Sequence, residues 1–306
     1  MIHLAYCFDR NYQQHFGASV TSLLLNFGGN ASELTIHVVT DELDPGLLDR
    51  LQRLGGVFKA RFETHQLTAA HLQGVANLTV KSKAVQHLTT ATYYRVLLSE
   101  VLPDDVDRVI YLDSDTIVLQ DIAPLAQTDL QGATIAGVTD LSEAKMMARL
   151  GLRRYINSGV LLIDLRQWRQ KRYTAACIDH AIRHPERIYC GDQCVVNEVL
   201  TDDLLVLDAK WNRFVLPRGK PGDVDVAATA VLHYITADKP WQAWYENPLA
   251  RLYWRYLDVS PWRGAEAQPP TTITEARRLA RLHHVRGETV EAVRVYDRIV
   301  ASLLPS

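Results

Sequence analysis

Strand-like and helix-like segments alternate along most of this chain, and this alternation limits the possible folds more than any other feature. The strand-like segments are short apolar runs, whereas the helix-like segments carry apolar residues at helical spacing. Such alternation is typical of an α/β domain with a mostly parallel sheet, in which ligands bind beyond the carboxyl ends of the strands. The predicted strands are residues 2–8, 34–39, 57–62, 108–112, 134–138, 156–165 and 230–235. The predicted helices are residues 16–26, 45–54, 90–101, 166–183 and a segment that begins with Gly191-Asp192-Gln193.

The strand predicted at residues 108–112 runs directly into Asp113-Ser114-Asp115. Residues i and i+2 of an extended backbone point to the same side, so the two carboxylates can face one point. Paired carboxylate oxygens are natural ligands of a hard divalent cation. Asp9 follows the first predicted strand in the same way. The alternative interpretation is an ordinary polar turn at the end of a strand, for which Asp and Ser are common.

The composition supports a folded domain and argues against nucleic-acid binding. The 306 residues are 47% hydrophobic and carry a formal net charge of −2, so the chain has no overall basic field. No basic leader precedes the first predicted strand, and no apolar run approaches the roughly 20 residues of a membrane span. The cysteines are interpreted as free thiols in a reducing cytoplasm rather than as disulfides or a structural zinc site. They are Cys7, Cys177, Cys190 and Cys194.

The last third of the chain contains an aromatic run and a segment rich in proline. The aromatic run at residues 241–257 is interpreted as an amphipathic helix packed on the sheet, with a membrane-surface or sugar-stacking platform as the alternative. Several prolines and a glycine predict a linker at residues 259–272. The chain is therefore divided into a domain of residues 1–258, this linker, and a helical extension of residues 273–306.

The extension is predicted to contain two helices, at residues 273–284 and 288–304. It also carries a basic cluster, which is interpreted as a solvated helix face, with contact to anionic lipid or to a partner as the alternative. The cluster consists of Arg277, Arg278, Arg281, His283, His284 and Arg286.

Six separated motifs follow one another along the first 257 residues. They are Tyr6-Cys7-Phe8-Asp9-Arg10-Asn11-Tyr12, Thr92-Tyr93-Tyr94-Arg95, Asp113-Ser114-Asp115, Asn157-Ser158-Gly159-Val160-Leu161-Leu162, Gly191-Asp192-Gln193 and His233-Tyr234-Ile235-Thr236-Ala237-Asp238-Lys239-Pro240-Trp241. In this order the set resembles the retaining glycosyltransferases of family 8, which include lipopolysaccharide galactosyl- and glucosyltransferases and, more distantly, glycogenin. The resemblance implies the GT-A fold, a nucleotide-binding α/β domain with a D-x-D motif. It also implies a UDP-sugar donor and a divalent ion, usually manganese, with magnesium as the alternative.

The resemblance implies a metal site made of Asp113, Asp115 and His233. Two carboxylates bind a hard ion, and one imidazole shifts the preference from magnesium towards manganese. Taken alone, His233 would be interpreted as a hydrogen-bonded core histidine. The resemblance makes Lys239 the diphosphate contact, for which an exposed surface lysine is the alternative. The family's pattern has a glycine at the position of Thr236.

The remaining motif residues are assigned to the nucleotide and to the donor sugar by the same resemblance. Residues that contact the nucleotide or its phosphates are Asp9, Asn11 and Ser114, and Arg95 contacts a phosphate or the donor sugar. Asp192, Gln193 and Asn157 lie beside the donor sugar, and Asp140 is a further active-site carboxylate. The structural alternatives are a strand-end turn for Asp9 and Asn11, a turn for Asn157, a surface ion pair for Arg95 and a helix N-cap for Asp192.

The expected reaction moves a hexose, galactose or glucose, from UDP to an acceptor hydroxyl with retention at the anomeric carbon. A double displacement would need a carboxylate nucleophile, for which Asp192 is the candidate. Same-face attack, with the departing phosphate taking the acceptor proton, is favoured. The resemblance further implies a glycan or glycolipid acceptor in lipopolysaccharide or other surface-glycan synthesis. It implies a cytoplasmic location, with peripheral contact to the inner face of the membrane through the C-terminal helices.

Two other functions stay open from the sequence. One is a non-catalytic protein that binds a sugar nucleotide or a partner, and loss of a D-x-D aspartate or of His233 would have favoured it. The other is a metal-dependent nucleotidyltransferase. That class usually carries a glycine-rich basic loop near the first strand, where this chain has Asp9-Arg10-Asn11.

Overall fold

The computed structural model describes residues 1–73, 75, 90–220 and 222–303, and a seven-stranded sheet forms its centre. The strands are β1 (Ile2–Cys7), β2 (Leu34–Thr40), β3 (Arg61–Gln66), β4 (Arg108–Leu112), β5 (Thr116–Val118), β6 (Ile135–Thr139), β7 (Ile156–Asp164), β8 (Leu204–Val206), β9 (Arg213–Val215) and β10 (Val231–Tyr234). The central order is β3-β2-β1-β4-β7-β6-β8, and only β7 runs against the direction of the others. A second sheet has the order β5-β10-β9. The α/β class with a mostly parallel sheet is confirmed.

Helices cover both faces of the central sheet. They are α1 (Gln13–Asn26), α2 (Pro45–Phe58), α3 (Ala69–Gln73), α4 (Leu98–Val101), α5 (Ala123–Ala126), α6 (Glu143–Leu150), α7 (Leu165–Gln170), α8 (Tyr173–Arg183), α9 (Asp192–Val199), α10 (Ala250–Asp258), α11 (Ile273–Val285) and α12 (Thr289–Leu303). A 3-10 helix, Thr90–Leu97, precedes α4, so the prediction of a helical segment there is confirmed.

The sheet separates two apolar cores. Successive side chains of a strand point to opposite faces, so Leu4 and Tyr6 of β1 enter one core and Ala5 and Cys7 enter the other. Helices α1, α2 and α10 close the first core, and α7, α8 and α9 close the second. Because both faces are covered, every residue of β7 is buried, as expected for a central strand.

Helix α2 continues through Gly55 and Gly56, where the sequence predicted a helix end. The predicted strand at residues 57–62 is therefore wrong in its first part, and the real strand β3 starts later. A glycine costs a helix only about 1 kcal/mol relative to alanine, and the buried side of α2 outweighs that cost. The buried side chains are Leu47, Leu51 and Leu54.

Two other predicted helices are shorter than expected. The segment at residues 166–183 is divided into α7 and α8, because Arg172 takes a left-handed conformation with φ of 56°. The aromatic run at residues 241–257 is helical only from Ala250, just after Pro248; a proline disfavours helical backbone before it. The expectation that its aromatic side chains pack on the sheet is confirmed. Trp241, Tyr245 and Tyr253 belong to the first core.

The segment at residues 259–272 is packed onto the domain through Trp262. Its indole lies against Gly17 of α1, where an added Cβ would come within 2.4 Å of the ring, so glycine provides the space for this contact. Beyond it, α11 and α12 pack against each other, and Arg278 of α11 lies 2.9 Å from Asp238. The division of the chain at residues 258 and 272 stays a prediction, and Leu304, the predicted end of the last helix, lies outside the described residues. None of the helices in the described part of the chain is long and apolar enough to cross a membrane.

Candidate active site

A cavity of about 370 Å³ lies beyond the carboxyl ends of β1 and β4. Of the site residues predicted from the sequence, all except Asn11 line it; Asn11 is exposed beside it and donates its backbone N–H to Asp9 Oδ1. The structure thus brings seven distant sequence segments together. The predicted residues that line the cavity are Asp9, Arg95, Asp113, Ser114, Asp115, Asp140, Asn157, Asp192, Gln193, His233 and Lys239.

The strand pairing explains why these segments meet. Strand β7 runs antiparallel to β4, so its beginning lies beside the end of β4, and Asp113 donates its N–H to Gly159 O at 2.8 Å. Strand β6 ends beside Ile156, which places Asp140 next to Asn157. In the second sheet Thr116 of β5 pairs with His233 of β10. The antiparallel direction of β7 therefore places Asn157 beside the two aspartates, and the second sheet places His233 there.

Asp113, Asp115 and His233 converge in the wall of the cavity. His233 Nε2 lies 3.3 Å from Asp115 Oδ1 and 3.7 Å from Asp113 Oδ2, and the three ligand atoms lie within 4.8 Å of one another. Carboxylate oxygens offer only lone pairs, so such an arrangement needs a shared positive charge. Two carboxylates and one imidazole form a suitable donor set for a divalent cation.

A chain of hydrogen bonds determines which nitrogen of His233 faces the carboxylates. The backbone N–H of Gly159 donates to Asn157 Oδ1 at 2.9 Å, and Asn212 Nδ2 donates to the same oxygen at 2.9 Å. Asn212 Oδ1 therefore points to His233 Nδ1, 3.0 Å away, and must accept its proton. The lone pair of Nε2 is left facing the two aspartates, which is the tautomer that binds a metal. Sequence reasoning missed Asn212, because it belongs to none of the motifs.

The position of Gly159 is close to both ligands. A Cβ added there would lie 2.2 Å from His233 Cε1 and 2.9 Å from Asp113 Oδ2. Any side chain at this residue must push His233 or Asp113 aside, because the contacts come from both directions. The glycine of the Asn-Ser-Gly segment is thus needed for close approach rather than for a turn.

Arg95 lies buried between the two ends of the site. Its guanidinium contacts Asp113 Oδ1 at 3.0 Å and Asp192 Oδ2 at 2.9 Å, and it stacks over the ring of Tyr111 with its carbon 4.5 Å from the centroid. Tyr111 donates its hydroxyl to Asp113 Oδ1 at 2.6 Å. One oxygen of Asp113 is thereby held by protein donors, and the other is left towards His233. Arg95 is not the surface ion pair of the structural alternative.

Asp192 begins α9 and is almost completely buried. Burial raises the pKa of this carboxyl group to about 7, although the charge of Arg95 opposes the shift. Its Oδ2 has no aligned hydrogen-bond donor among the described residues, and neither has the buried Ser114 Oγ. The buried hydroxyl of Ser114, which lines the cavity without a partner among the described residues, indicates that a polar ligand completes it.

Asp140, Asn157 and Gln193 form one hydrogen-bonded group. Asp140 Oδ2 accepts from Asn157 Nδ2 at 2.9 Å and from Gln193 Nε2 at 3.2 Å, while Ser142 occupies its other oxygen. Gln193 Oε1 in turn accepts from the N–H of Ser158 at 3.1 Å. The carboxylate therefore orients two amides at the end of the cavity next to Asp192.

Lys239 contacts a predicted metal ligand in this structure. Its Nζ lies 2.6 Å from Asp115 Oδ2 and donates to Tyr234 O at 2.7 Å. Burial alone would raise the pKa of Asp115, but the charge of Lys239 holds it well below its usual range. Asp115 thus stays ionised despite its burial, with one oxygen towards the lysine and the other towards the histidine.

Among the described residues that line this cavity, acidic groups outnumber basic groups. Two permanent cations, Arg95 and Lys239, stand against five carboxylates, which are Asp9, Asp113, Asp115, Asp140 and Asp192. An anionic ligand would be repelled by this surplus, whereas a divalent cation would offset most of it. The cavity accordingly fits a cation together with an anion, and not an anion alone.

The sequence model that defines glycosyl transferase family 8 matches residues 3–245 of this chain. The chain belongs to this family. The resemblance seen in the motifs is thereby confirmed, and the protein is a transferase that acts on glycosyl groups.

Relatives within the family are similar over nearly their whole length. General stress protein A of Bacillus subtilis (strain 168) is 26% identical over 279 residues, which cover 86% of this chain and 95% of that protein. Lipopolysaccharide 1,2-glucosyltransferase of Escherichia coli (strain K12) is 26% identical over 305 residues, covering 94% and 88%. Lipopolysaccharide 1,3-galactosyltransferase of Salmonella typhimurium is 27% identical over 295 residues, covering 91% and 84%.

A solved structure confirms the GT-A fold. The galactosyltransferase LgtC, crystallised in complex with donor and acceptor sugar analogs, superposes with a TM-score of 0.71 at 21% identity. The match covers 85% of this chain and 96% of LgtC. At this level of identity the likeness concerns the fold alone.

This chain has Thr236 where the family's pattern has a glycine, but the backbone there keeps a conformation that favours glycine. Thr236 has φ of 76°, in the left-handed region that favours glycine. The chain therefore keeps at this cavity residue a conformation that a β-branched side chain adopts only with strain.

Replacing Gly159 with alanine is expected to weaken divalent-cation binding at least about tenfold, because the new methyl group displaces a ligand. Titration of Mn²⁺ into the metal-free protein, followed by the EPR signal of free Mn²⁺, measures this. Gly56→Ala is the matched control, since nothing lies within 4 Å of its added Cβ. Equal Mn²⁺ affinity of Gly159→Ala and Gly56→Ala would contradict the assignment.

The raised pKa of Asp192 predicts a specific pH dependence of stability in the metal-free protein. Between about pH 4 and pH 7 the folded state keeps the proton that the unfolded chain releases, so stability falls as pH rises, by up to about 1.4 kcal/mol per pH unit. This component is absent from Asp192→Asn. Urea unfolding at several pH values should therefore show that the free energy of unfolding of the variant rises relative to that of the wild type from pH 4 to pH 7. Parallel profiles of the two proteins would show that Asp192 is not protonated in this window.

Proposed function

We propose that this family-8 member transfers a hexose, galactose or glucose, from a UDP-sugar to an acceptor hydroxyl with retention at the anomeric carbon. The observation that carries the proposal is the convergence of Asp113, Asp115 and His233 beside the two buried cations Arg95 and Lys239. A diphosphate needs both kinds of group, a metal site and fixed positive charge. Membership of the family favours glycosyl transfer over nucleotidyl transfer, which paired carboxylates also serve.

The cation of this site is proposed to be Mn²⁺, with Mg²⁺ as the alternative. Asp113, Asp115 and His233 would hold it, and their distances and the tautomer of His233 fit that role. A cation held by these three side chains would supply Lewis-acid stabilisation of the charge that develops on the departing UDP. The imidazole in the set is the reason for preferring manganese.

The nucleotide is proposed to lie along the β1 end of the cavity. Asp9 and Asn11 would contact uracil and ribose, and the position of Asn11 beside the cavity is compatible with an extended ligand. Lys239 and Arg95 would bind the phosphates or the donor sugar, and Ser114 offers a buried hydroxyl that has no partner in the described part of the chain. The ammonium group of Lys239 can move from Asp115 to a phosphate at little cost in free energy, because it exchanges one anionic partner for another.

The donor sugar is proposed to lie against Asp192, Gln193, Asn157 and Asp140. Asp192 is a poor nucleophile here, because its carboxylate contacts Arg95 and burial keeps much of it protonated near neutral pH. We therefore favour same-face attack, in which the acceptor oxygen bonds to the anomeric carbon and its proton passes to the departing phosphate. Gln193 and Asn157, oriented by Asp140, would contact hydroxyls of the sugar.

The acceptor is proposed to be a glycan or glycolipid in lipopolysaccharide or other surface-glycan synthesis. The support is the similarity to lipopolysaccharide glucosyl- and galactosyltransferases over 84% or more of their length. The enzyme is proposed to act in the cytoplasm, where UDP-sugars and reduced cysteines occur together.

The first assay is UDP release from a panel of UDP-sugars in Mn²⁺ and then in EDTA. We expect one UDP-hexose to be turned over only with metal, and Asp115→Asn to lower the rate at least about 100-fold, because it removes one charged ligand. Asp202→Asn, an exposed aspartate, is the matched control and should keep the wild-type rate. UDP binding followed by calorimetry should also need Mn²⁺, because the carboxylates repel a free diphosphate. Metal-independent UDP binding in wild type and Asp115→Asn alike would overturn the proposed site.

The C-terminal helices are proposed to contact the inner face of the membrane. Arg277, Arg281 and Arg286 are exposed there, and so is Val285, whereas Arg278 is occupied by Asp238. We expect the protein to sediment with vesicles that contain anionic lipid and not with neutral vesicles. High salt should abolish this binding, because it screens the charges of the arginines. Equal sedimentation of a variant with Arg277, Arg281 and Arg286 changed to Gln would contradict membrane contact through these helices.

A further inference from the structure

A second cluster of metal-ligating side chains lies on the central sheet and does not line the active-site cavity. It consists of His37 on β2 and of Glu63 and His65 on β3, the strand at the edge of the sheet. In the parallel register His37 pairs with Glu63, and His65 lies two residues further along the same face. The two β3 side chains therefore flank the β2 imidazole on a rigid support.

The ligand atoms already have the spacing of a small coordination sphere. His37 Nδ1 lies 3.0 Å from His65 Nε2 and 3.3 Å from Glu63 Oε2, and the three residues offer ligand atoms within 4.8 Å of one another. Ligand atoms on a zinc tetrahedron with bonds of about 2.0–2.1 Å lie about 3.3 Å apart. Only small side-chain movements separate this cluster from that geometry.

Both the imidazole and the carboxylate have the outer partners that metal ligands usually have. His37 Nε2 lies 3.0 Å from His3 Nδ1, which is placed to accept a proton from it when Nδ1 of His37 binds a metal ion. Arg61 Nη2 lies 2.7 Å from Glu63 Oε1, which leaves Oε2 towards His37. Such partners orient metal ligands and raise their affinity.

His37 is fully buried on β2, so packing on both sides of the sheet holds its imidazole in place. A neutral imidazole offers a lone pair to a metal ion.

We propose that His37, Glu63 and His65 bind a zinc ion that links β2 to the edge strand β3. Two imidazoles and one carboxylate favour zinc over the harder magnesium and manganese, whereas the active-site cluster has two carboxylates and one imidazole. Three protein ligands leave one tetrahedral position for water. Because its residues lie outside the active-site cavity, the ion stabilises the sheet and takes no part in glycosyl transfer.

The untagged full chain, stripped with a chelator and dialysed against Zn²⁺, should retain a tightly bound equivalent, measured by atomic absorption. Co²⁺ in its place should give the strong visible absorption of a four-coordinate ion, and Zn²⁺ should raise the midpoint of thermal unfolding. Glu63→Gln, which keeps shape and hydrogen bonding, should weaken Zn²⁺ binding at least about 10-fold, and His65→Asn should abolish the Co²⁺ bands.

Two control variants separate this site from its alternatives. His71→Asn, in the following helix, changes a histidine that is hydrogen-bonded to Thr68 and should keep the Zn²⁺ and the Co²⁺ bands. His233→Ala, which removes the imidazole of the active-site cluster, should also keep both. Bands lost in His233→Ala but kept in His65→Asn would assign the ion to the active site and overturn the proposal. An unchanged zinc content in folded Glu63→Gln and His65→Asn would overturn it as well, and so would wild-type protein without tight Zn²⁺ binding.

Discussion

The repulsion between Asp113 and Asp115, two carboxylates that face one point in a poorly solvated wall, is the constraint on which the rest of the site depends. Each has one oxygen held by the protein, Asp113 by Arg95 and Tyr111 and Asp115 by Lys239. The other oxygens face His233 and need a positive charge between them. The proposed cation and the buried basic residues Arg95 and Lys239 would both offset this repulsion.

The sheet provides that arrangement through the direction of its strands. The reversal of β7 places the Asn157–Gly159 segment at the carboxyl end of β4, and the second sheet carries His233 to the same place. The absence of a side chain on Gly159 then allows the histidine to approach. The edge of the same sheet carries the His37 cluster, in which the ligand ratio is reversed. The fold thus presents one donor set where the two sheets meet and a second at the edge of the central sheet, and their ligand ratios suit different cations.

Local spacing was enough to predict the strand that ends in Asp113 and Asp115, because i and i+2 in a strand share a face. His233 and Asp192 could be assigned only through the family resemblance, since nothing near them in sequence points to a ligand. Asn212 was missed, because its role depends on a hydrogen-bond chain between three segments. The continuation of α2 through Gly55 and Gly56 was missed because buried leucines outweighed the glycines. The role of each predicted site residue stays a prediction.

Anomalous diffraction at the manganese edge, from crystals grown with MnCl₂ and UDP, would test the central claim most directly. The account predicts a peak at bonding distance from oxygens of Asp113 and Asp115, from Nε2 of His233 and from the diphosphate of UDP. A structure with UDP in this cavity but without a peak at these three side chains would contradict it.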